Sequence, residues 1–195
     1  MSSSPWEAAA ADDRRLWENL RQGDSRALEQ LFQTHYTALF DYGLKLAGQS
    51  ELVKDAIQDL FIYLWEKRTT LANAASVRAY LLISFRRRLL SAIDRQREQR
   101  QALHEIAQER PDNAFSAEDS LIFAEVKESQ KQALKKAFET IPARMREALY
   151  LKTYTCLSYA EIAQVMDVRP QVARNYVSEA FRRLRDLLAE DQFNR

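Results

Sequence analysis

Glycine and proline are scarce, with three and four in 195 residues. Tight hairpins depend on the backbone freedom of the one and the fixed φ of the other, so an all-β chain of short strands is excluded. A phosphate-cradling glycine loop is excluded as well, because Gly23, Gly43 and Gly48 stand apart. The single cysteine, Cys156, can close no internal disulfide; it suits a reducing cytoplasm and is expected to pack in the interior. The two histidines, His35 and His104, have no companions at ligand spacing, so each is expected at the surface or a boundary, with no metal and no cofactor. There is no apolar run of about 18 residues and no charged-then-apolar leader pattern. A soluble, cytoplasmic protein is the expectation. A net charge of +1 excludes a uniformly basic nucleic-acid coat, while leaving room for a basic patch offset by acidic surface elsewhere.

What is abundant is helix-forming. Ala, Leu, Arg, Gln and Glu dominate, and 46% of residues are hydrophobic, so the expected fold is all-α with one or two real cores. Residues 1–11 read as a frayed start, followed by a short helix from Asp12 to Arg21 with Leu16, Trp17 and Leu20 inward. After Gly23, Asp24 or Ser25 can cap a helix to about Ala47 whose apolar set includes Leu28, Leu31, Phe32, Tyr36, Leu39, Phe40, Tyr42 and Leu46. Gly48 ends it. Ser50 is expected to cap a helix over about Glu51–Lys67, with Trp65 on its apolar stripe as a core anchor. A polar, small-residue loop follows, and Ser76 caps a fourth helix.

That fourth helix holds seven arginines against two acids between residues 78 and 100. At about 100° per residue, Arg86, Arg87 and Arg88 span more than half the circumference, so at least two must face outward. With tyrosine and phenylalanine interleaved, the stretch has the footprint of a nucleic-acid surface; an ordinary solvated basic helix is the plainer reading. From Gln101 to Glu125 the chain turns acidic and loses its period, as expected of an extended linker. A helix over about Ile122–Thr140 comes next, with Leu134, Ala137 and Phe138 inward, then a break at Ile141-Pro142 and another helix to Thr153. Two small helical domains result: 1–22 an N-terminal extension, 23–98 the first domain, 99–124 the linker and 125–190 the second domain.

The C-terminal part carries the most specific local signal. Ser158 and Glu161 form a capping box, and Leu157 can pack on Ile162 as a hydrophobic staple. Asp167 stands at a turn needing left-handed backbone, which Asp tolerates. Pro170 suits the first turn of the next helix. There Ala173, Val177, Ala180, Leu184 and Leu187 make an inward stripe. Gln171, Arg174, Asn175, Ser178, Arg182 and Arg185 lie opposite, carrying the groups that read base edges and phosphates. This is the pattern of a helix-turn-helix, although two amphipathic helices with a solvated polar face would look the same locally.

Taken in order, Asp55 through Trp65, Tyr80 through Arg88, Ile141 through Ala148 and Leu157 through Ala163 resemble the conserved stretches of an extracytoplasmic-function (group 4) sigma factor of the sigma-70 family. The resemblance covers about residues 28–96 and 134–188. It departs at Arg87, Ser91, Asp167, Arg169 and Glu179, which bears on the promoter sequence. It implies a specificity subunit of RNA polymerase, with no catalysis and no small-molecule substrate. The implied partners are core RNA polymerase (the β′ clamp helices and β flap), promoter DNA and a membrane-bound anti-sigma factor. The implied core-binding residues are Asp55, Gln58, Asp59 and Ile62. The loop Thr69–Ala75 and the basic helix would meet the −10 element through Thr70, Asn73, Arg78, Arg86, Arg87 and Arg88. Arg169, Gln171, Arg174, Asn175 and Ser178 would read the −35 element, with Lys152 and Arg182 on phosphates. A stand-alone helix-turn-helix regulator that binds its operator without polymerase is the competing reading, and an RNA-binding helical protein a weaker one.

Overall fold

A computed structural model of the chain describes residues 5–102, 115 and 138–193, and every regular element among them is α-helical. The helices are α1 (Pro5–Arg21), α2 (Ser25–Ala47), α3 (Ser50–Lys67), α4 (Val77–Ala102), α5 (Ala143–Thr153), α6 (Tyr159–Met166) and α7 (Pro170–Phe193). They divide into two compact units, Met1–Gln108 and Glu109–Arg195. The all-α expectation holds. Among the described residues no helix is long and apolar enough to cross a membrane.

Local chemistry sets most helix ends. The Asp24 carboxylate accepts from the Arg26 N–H at 2.9 Å and starts α2. Gly48 ends it in the left-handed conformation, φ 66°, its N–H donating to the Leu44 carbonyl. Ser76 Oγ accepts from the Ala79 N–H at 3.2 Å at the start of α4. Two ends differ from expectation. Helix α1 begins at Pro5, seven residues earlier than the frayed start suggested, because the run Ala8–Ala11 has the highest helix propensity of any composition and Pro suits a first helical position. In α3 the cap is Gln49, without a side-chain bond, and Ser50 is already helical.

In the first unit the buried stripe of α2 runs through Ala27, Leu31, His35, Leu39, Tyr42 and Leu46. It packs with Val53, Ile57, Leu60 and Leu64 of α3 and with Leu81, Phe85 and Leu89 of α4, all buried. Each such side chain contributes about 1.5–3 kcal/mol on burial. Gly43 is required where α2 crosses Phe85: a Cβ there would sit 2.6 Å from the phenyl Cζ and 2.8 Å from Val53 Cγ1. His35, expected near the surface, is buried and lies 3.0 Å from the buried Asp13 carboxylate of α1. Its place between Leu31 and Leu39, four residues from each, puts it on the core stripe, where burial demands a partner.

The second unit closes around Phe138, Ile141, Ala148, Leu151, Leu157 and Ile162, all buried. Phe115 belongs to it too. The sequence placed that residue in the acidic linker, yet it is buried, with its ring 5.5 Å from Tyr150. Residues 99–102 of the expected linker continue α4; the others apart from Phe115, and most of the expected helix over Ile122–Thr140, Leu134 and Ala137 included, lie outside the described residues, as does His104. Arg146 ties these parts together. Its Nε donates to the Phe115 carbonyl at 2.8 Å, and its Nη1 faces the carbonyls of Phe138, Glu139 and Ile141 at 3.3, 3.1 and 2.9 Å. Burial pulls the Arg146 pKa down and Glu139 opposes the shift. Cys156, expected to pack, is exposed: it takes a left-handed conformation, φ 53°, letting the Leu157 N–H reach back to the Leu151 carbonyl at the end of α5.

Candidate nucleic-acid interface

Three surfaces gather the residues singled out from the sequence. The first is a groove of about 560 Å³ between α2 and α3, lined by Phe32, Tyr36, Phe61, Ile62 and Trp65 among others. Phe32 was expected inside, but 38% of it is exposed, and Ile62 is 48% exposed. The apolar set of α2 is wider than one face: Phe32, Tyr36 and Phe40 form a second row at four-residue spacing beside the buried stripe, and α3 covers it only in part. The row is ordered by ring contacts, Phe32 to Phe61 edge-on at 5.1 Å and Tyr36 stacked on Phe40 at 5.9 Å. Asp55, Gln58 and Asp59 are exposed beside Ile62 on α3. Trp65 is only half-buried and lies under the Arg68 guanidinium, 4.4 Å from the ring centroid, so it borders the groove as well as the core.

The second surface is the loop between α3 and α4 with the outer side of α4. Thr70 and Asn73 are exposed on the loop. The Thr70 hydroxyl donates to the Lys67 carbonyl at 2.9 Å, and Asn73 Oδ1 accepts from Arg21 of α1. The three arginines of α4 part company. Arg87 is exposed. Arg88 is half-buried, stacked 4.2 Å from the Tyr63 ring centroid and donating to the Ser84 carbonyl at 3.0 Å. Arg86 is only 6% exposed, because it shares the stripe of Leu82, Phe85 and Leu89. It is withdrawn from the expected set of strand-holding residues; a one-residue step along the helix separates it from solvent-facing Arg87. Arg78 is half-buried at the start of α4. Burial also pushes the Tyr80 phenol up, aided by Tyr63, while its hydrogen bond with Ser84 opposes.

The third surface is the helix-turn-helix of α6 and α7. Ser158 and Glu161 close the capping box, the Glu161 carboxylate accepting from the Ser158 N–H at 2.8 Å. Asp167 takes φ 54° and ψ 56° at the turn, as its residue type allowed. With Ala173, Val177 and Ala180 buried, the opposite face of α7 presents Gln171, Arg174, Asn175 and Ser178 to solvent, and Arg169 is exposed just before it. Gln171 Nε2 donates to Asn175 Oδ1 at 2.9 Å, so the two amides act as one unit. The Tyr159 ring contacts two cations, Arg174 at 5.3 Å from its centroid and Lys152 at 4.9 Å. Tyr159 therefore helps to aim Arg174, a role that spacing along the chain did not signal.

Two expected phosphate contacts have other engagements. Lys152 Nζ donates to the Leu157 carbonyl at 3.1 Å and helps to close the turn before α6. Arg182 is held by Glu179 at 2.6 Å and Asp186 at 3.1 Å, which offsets its charge. Glu179 also binds Arg183 at 2.8 Å. Hydrogen bonds from Arg182 and then Arg183 hold its carboxyl down at about 2. Neither contact was foreseen, because the sequence counted charges on the face without pairing them. Among the described residues no cluster of three or more His, Cys, Asp or Glu could hold a metal ion.

Comparison with known proteins follows the same division. The domain described as Sigma-70 region 2 matches residues 31–99, and Sigma-70, region 4 matches residues 131–184; together they span well over half of the chain. The chain resembles the solved structure of CnrH in complex with the cytosolic domain of CnrY, with a TM-score of 0.60 and 19% identity, covering 92% of this chain and 99% of that one. It also resembles the sigma factor RpoE in complex with the anti-sigma factor NepR from Bartonella quintana, with a TM-score of 0.59 and 22% identity, covering 83% and 96%. Both likenesses show a shared fold. The search of curated proteins found no match.

Proposed function

This chain belongs to the sigma-70 family, and from that premise we propose that it is an extracytoplasmic-function (group 4) sigma factor that directs core RNA polymerase to a dedicated promoter. The observation that carries the reading is the pairing, in one chain, of a region 2 unit with an open apolar groove on the helix that also exposes Asp55 and Asp59, and a region 4 unit with an exposed polar and basic helix face. The groove suits a basic, apolar helical hairpin: Ile62 and Phe32 offer area to bury, while Asp55 and Asp59 steer and set register. Its proposed occupant is the β′ clamp of the polymerase, with Asp55, Gln58, Asp59 and Ile62 in contact.

The loop side chains Thr70 and Asn73 are proposed to meet unpaired bases of the −10 element, while Arg78, Arg87 and Arg88 follow the strand. Capturing a base outside the stack costs a few kcal/mol, which stacking and charge contacts offset. On α7, Arg169, Gln171, Arg174, Asn175 and Ser178 are proposed to read the −35 element in the major groove. Arg182 joins a phosphate only by leaving Glu179 and Asp186. Two modest sites held at a fixed spacing by polymerase gain from effective concentration, so the free protein binds DNA poorly. An anti-sigma partner is proposed as well, since the RpoE relative is solved with one. Transcription with bacterial core polymerase tests the reading: the purified protein should start transcripts from a small set of genomic promoters, and silence across a whole genomic library would end it. A gel shift separates the competitor, because a stand-alone regulator binds its operator at nanomolar concentration without polymerase.

A further inference from the structure

The loop between α3 and α4 owes its shape to a helix outside the matched region. Residues 71–74 adopt no regular structure; at the loop's start the Thr70 and Leu71 N–H groups donate to the Lys67 carbonyl at 2.8 and 3.0 Å. Beyond them, α1 supplies the restraints. Trp17 Nε1 donates to the Ala72 carbonyl at 3.1 Å, and Arg21 Nε to the Leu71 carbonyl at 2.8 Å. Arg21 Nη1 reaches Asn73 Oδ1. The donors are themselves fixed. Trp17 is buried, with its ring edge-on to Tyr80 at 4.9 Å, and Arg21 is braced by Glu18 at 2.9 Å. One turn further back, the buried Asp13–His35 contact locks α1 onto α2.

We propose that Trp17 and Arg21 are positioning residues for promoter reading: they shape the loop, and Arg21 orients the Asn73 amide so that it offers its NH2 group to a base. The inference rests on the proposed −10 role of the loop. Two of the three bonds go to main-chain carbonyls, so they fix the loop's path whatever side chains stand at 71 and 72. The third decides chemistry. A guanidinium only donates, so the Asn73 oxygen must face it, and the two amide hydrogens are left for a partner. Such a residue favours a base edge rich in acceptors. A loop already shaped before binding also loses less entropy on capture.

The test uses the full chain with bacterial core polymerase and a promoter library randomised across the −10 segment. Asn73→Ala should flatten base preference at one position, about 10-fold. Arg21→Gln should flatten the same position, because glutamine can donate or accept and no longer dictates the amide. Arg21→Lys, which only donates, should keep the preference while lowering transcription. A merely unstable protein would lower all promoters alike and leave the preference unchanged. In the free protein, amide hydrogen exchange of Thr70 and Leu71, whose N–H groups donate to the Lys67 carbonyl, should quicken about 10-fold in Arg21→Gln and in Trp17→Phe, which keeps the ring packing and removes the donor. Preference lost in Asn73→Ala and retained in Arg21→Gln overturns the positioning role while the loop's −10 role stands. No change in Asn73→Ala removes Asn73 from the base contact, and the proposal with it. Unchanged exchange in both α1 variants also overturns it; if Trp17→Phe fails to fold, Arg21→Gln alone decides.

Discussion

Replacing Arg146 with alanine should unfold the second unit well before the first. The guanidinium serves four carbonyls, one through Nε and three through Nη1. Nη1 has two hydrogens, so its three acceptors share them and about three effective bonds are lost. A hydrogen bond from a charged group contributes about 1.5–3 kcal/mol net. Arg146 is only half-buried, and water can replace some of what is removed, so the estimate is about 2–4 kcal/mol for the set. Domains have about 5–15 kcal/mol in all, and a unit this small sits at the low end. At about 4–8 °C per kcal/mol, the melting point should fall by roughly 8–32 °C. The assay separates the units spectroscopically. Trp6, Trp17 and Trp65 all lie in the first, so tryptophan fluorescence follows that unit while far-ultraviolet circular dichroism follows both. The variant should gain an early helix-loss transition that fluorescence does not see, and Arg146→Lys should recover less than half of the loss, having charge without the fork. A loss under about 0.5 kcal/mol, or an equal shift of the tryptophan transition, would refute the clamp.

On the proposed −35 face, Arg174→Ala should weaken recognition by about 1–3 kcal/mol, and an unchanged footprint would remove Arg174 from the site. Tyr159→Leu should lose about 0.5–1 kcal/mol of the same recognition through Arg174 alone, so its effect should vanish in the Arg174→Ala background; additive losses would contradict the stacking account. At the groove, Asp59→Ala should reduce co-purification with core polymerase and Ile62→Asp should reduce it further, about 10-fold or more, both with helix content intact; equal recovery of core with either variant would argue against docking there. The Glu179 carboxyl should titrate near 2 by NMR. Its folded value is depressed below the ordinary 4.5, so the ion pairs contribute above that value and are lost as pH falls through about 2. A midpoint near 4.5 at low salt would show that Arg182 and Arg183 do not hold it.

What the sequence alone determined about this protein is what short-range chemistry decides. The all-α fold follows from composition. The ends at Asp24, Gly48, Ser76 and Ser158 follow from side chains that cap within three residues or from glycine at a left-handed position. The outward face of α7 follows from a stripe of alanine and valine that only one helix orientation can bury. Tertiary structure decided the rest. Arg86 is inside and Arg87 outside because three neighbouring elements chose which arc of α4 to cover, and a triplet of like charges carries no mark of that choice. Phe32 is in an open groove because α3 covers the second of two apolar rows on α2 only in part, and both rows looked like core. Phe115 reads as linker until Tyr150 and Arg146 arrive beside it. The bonds from Trp17 and Arg21 to the loop join residues 50 to 55 apart in the chain. No period or local motif encodes a pairing at that distance; it exists only once α1 has docked on α2, and with it the shape of the loop.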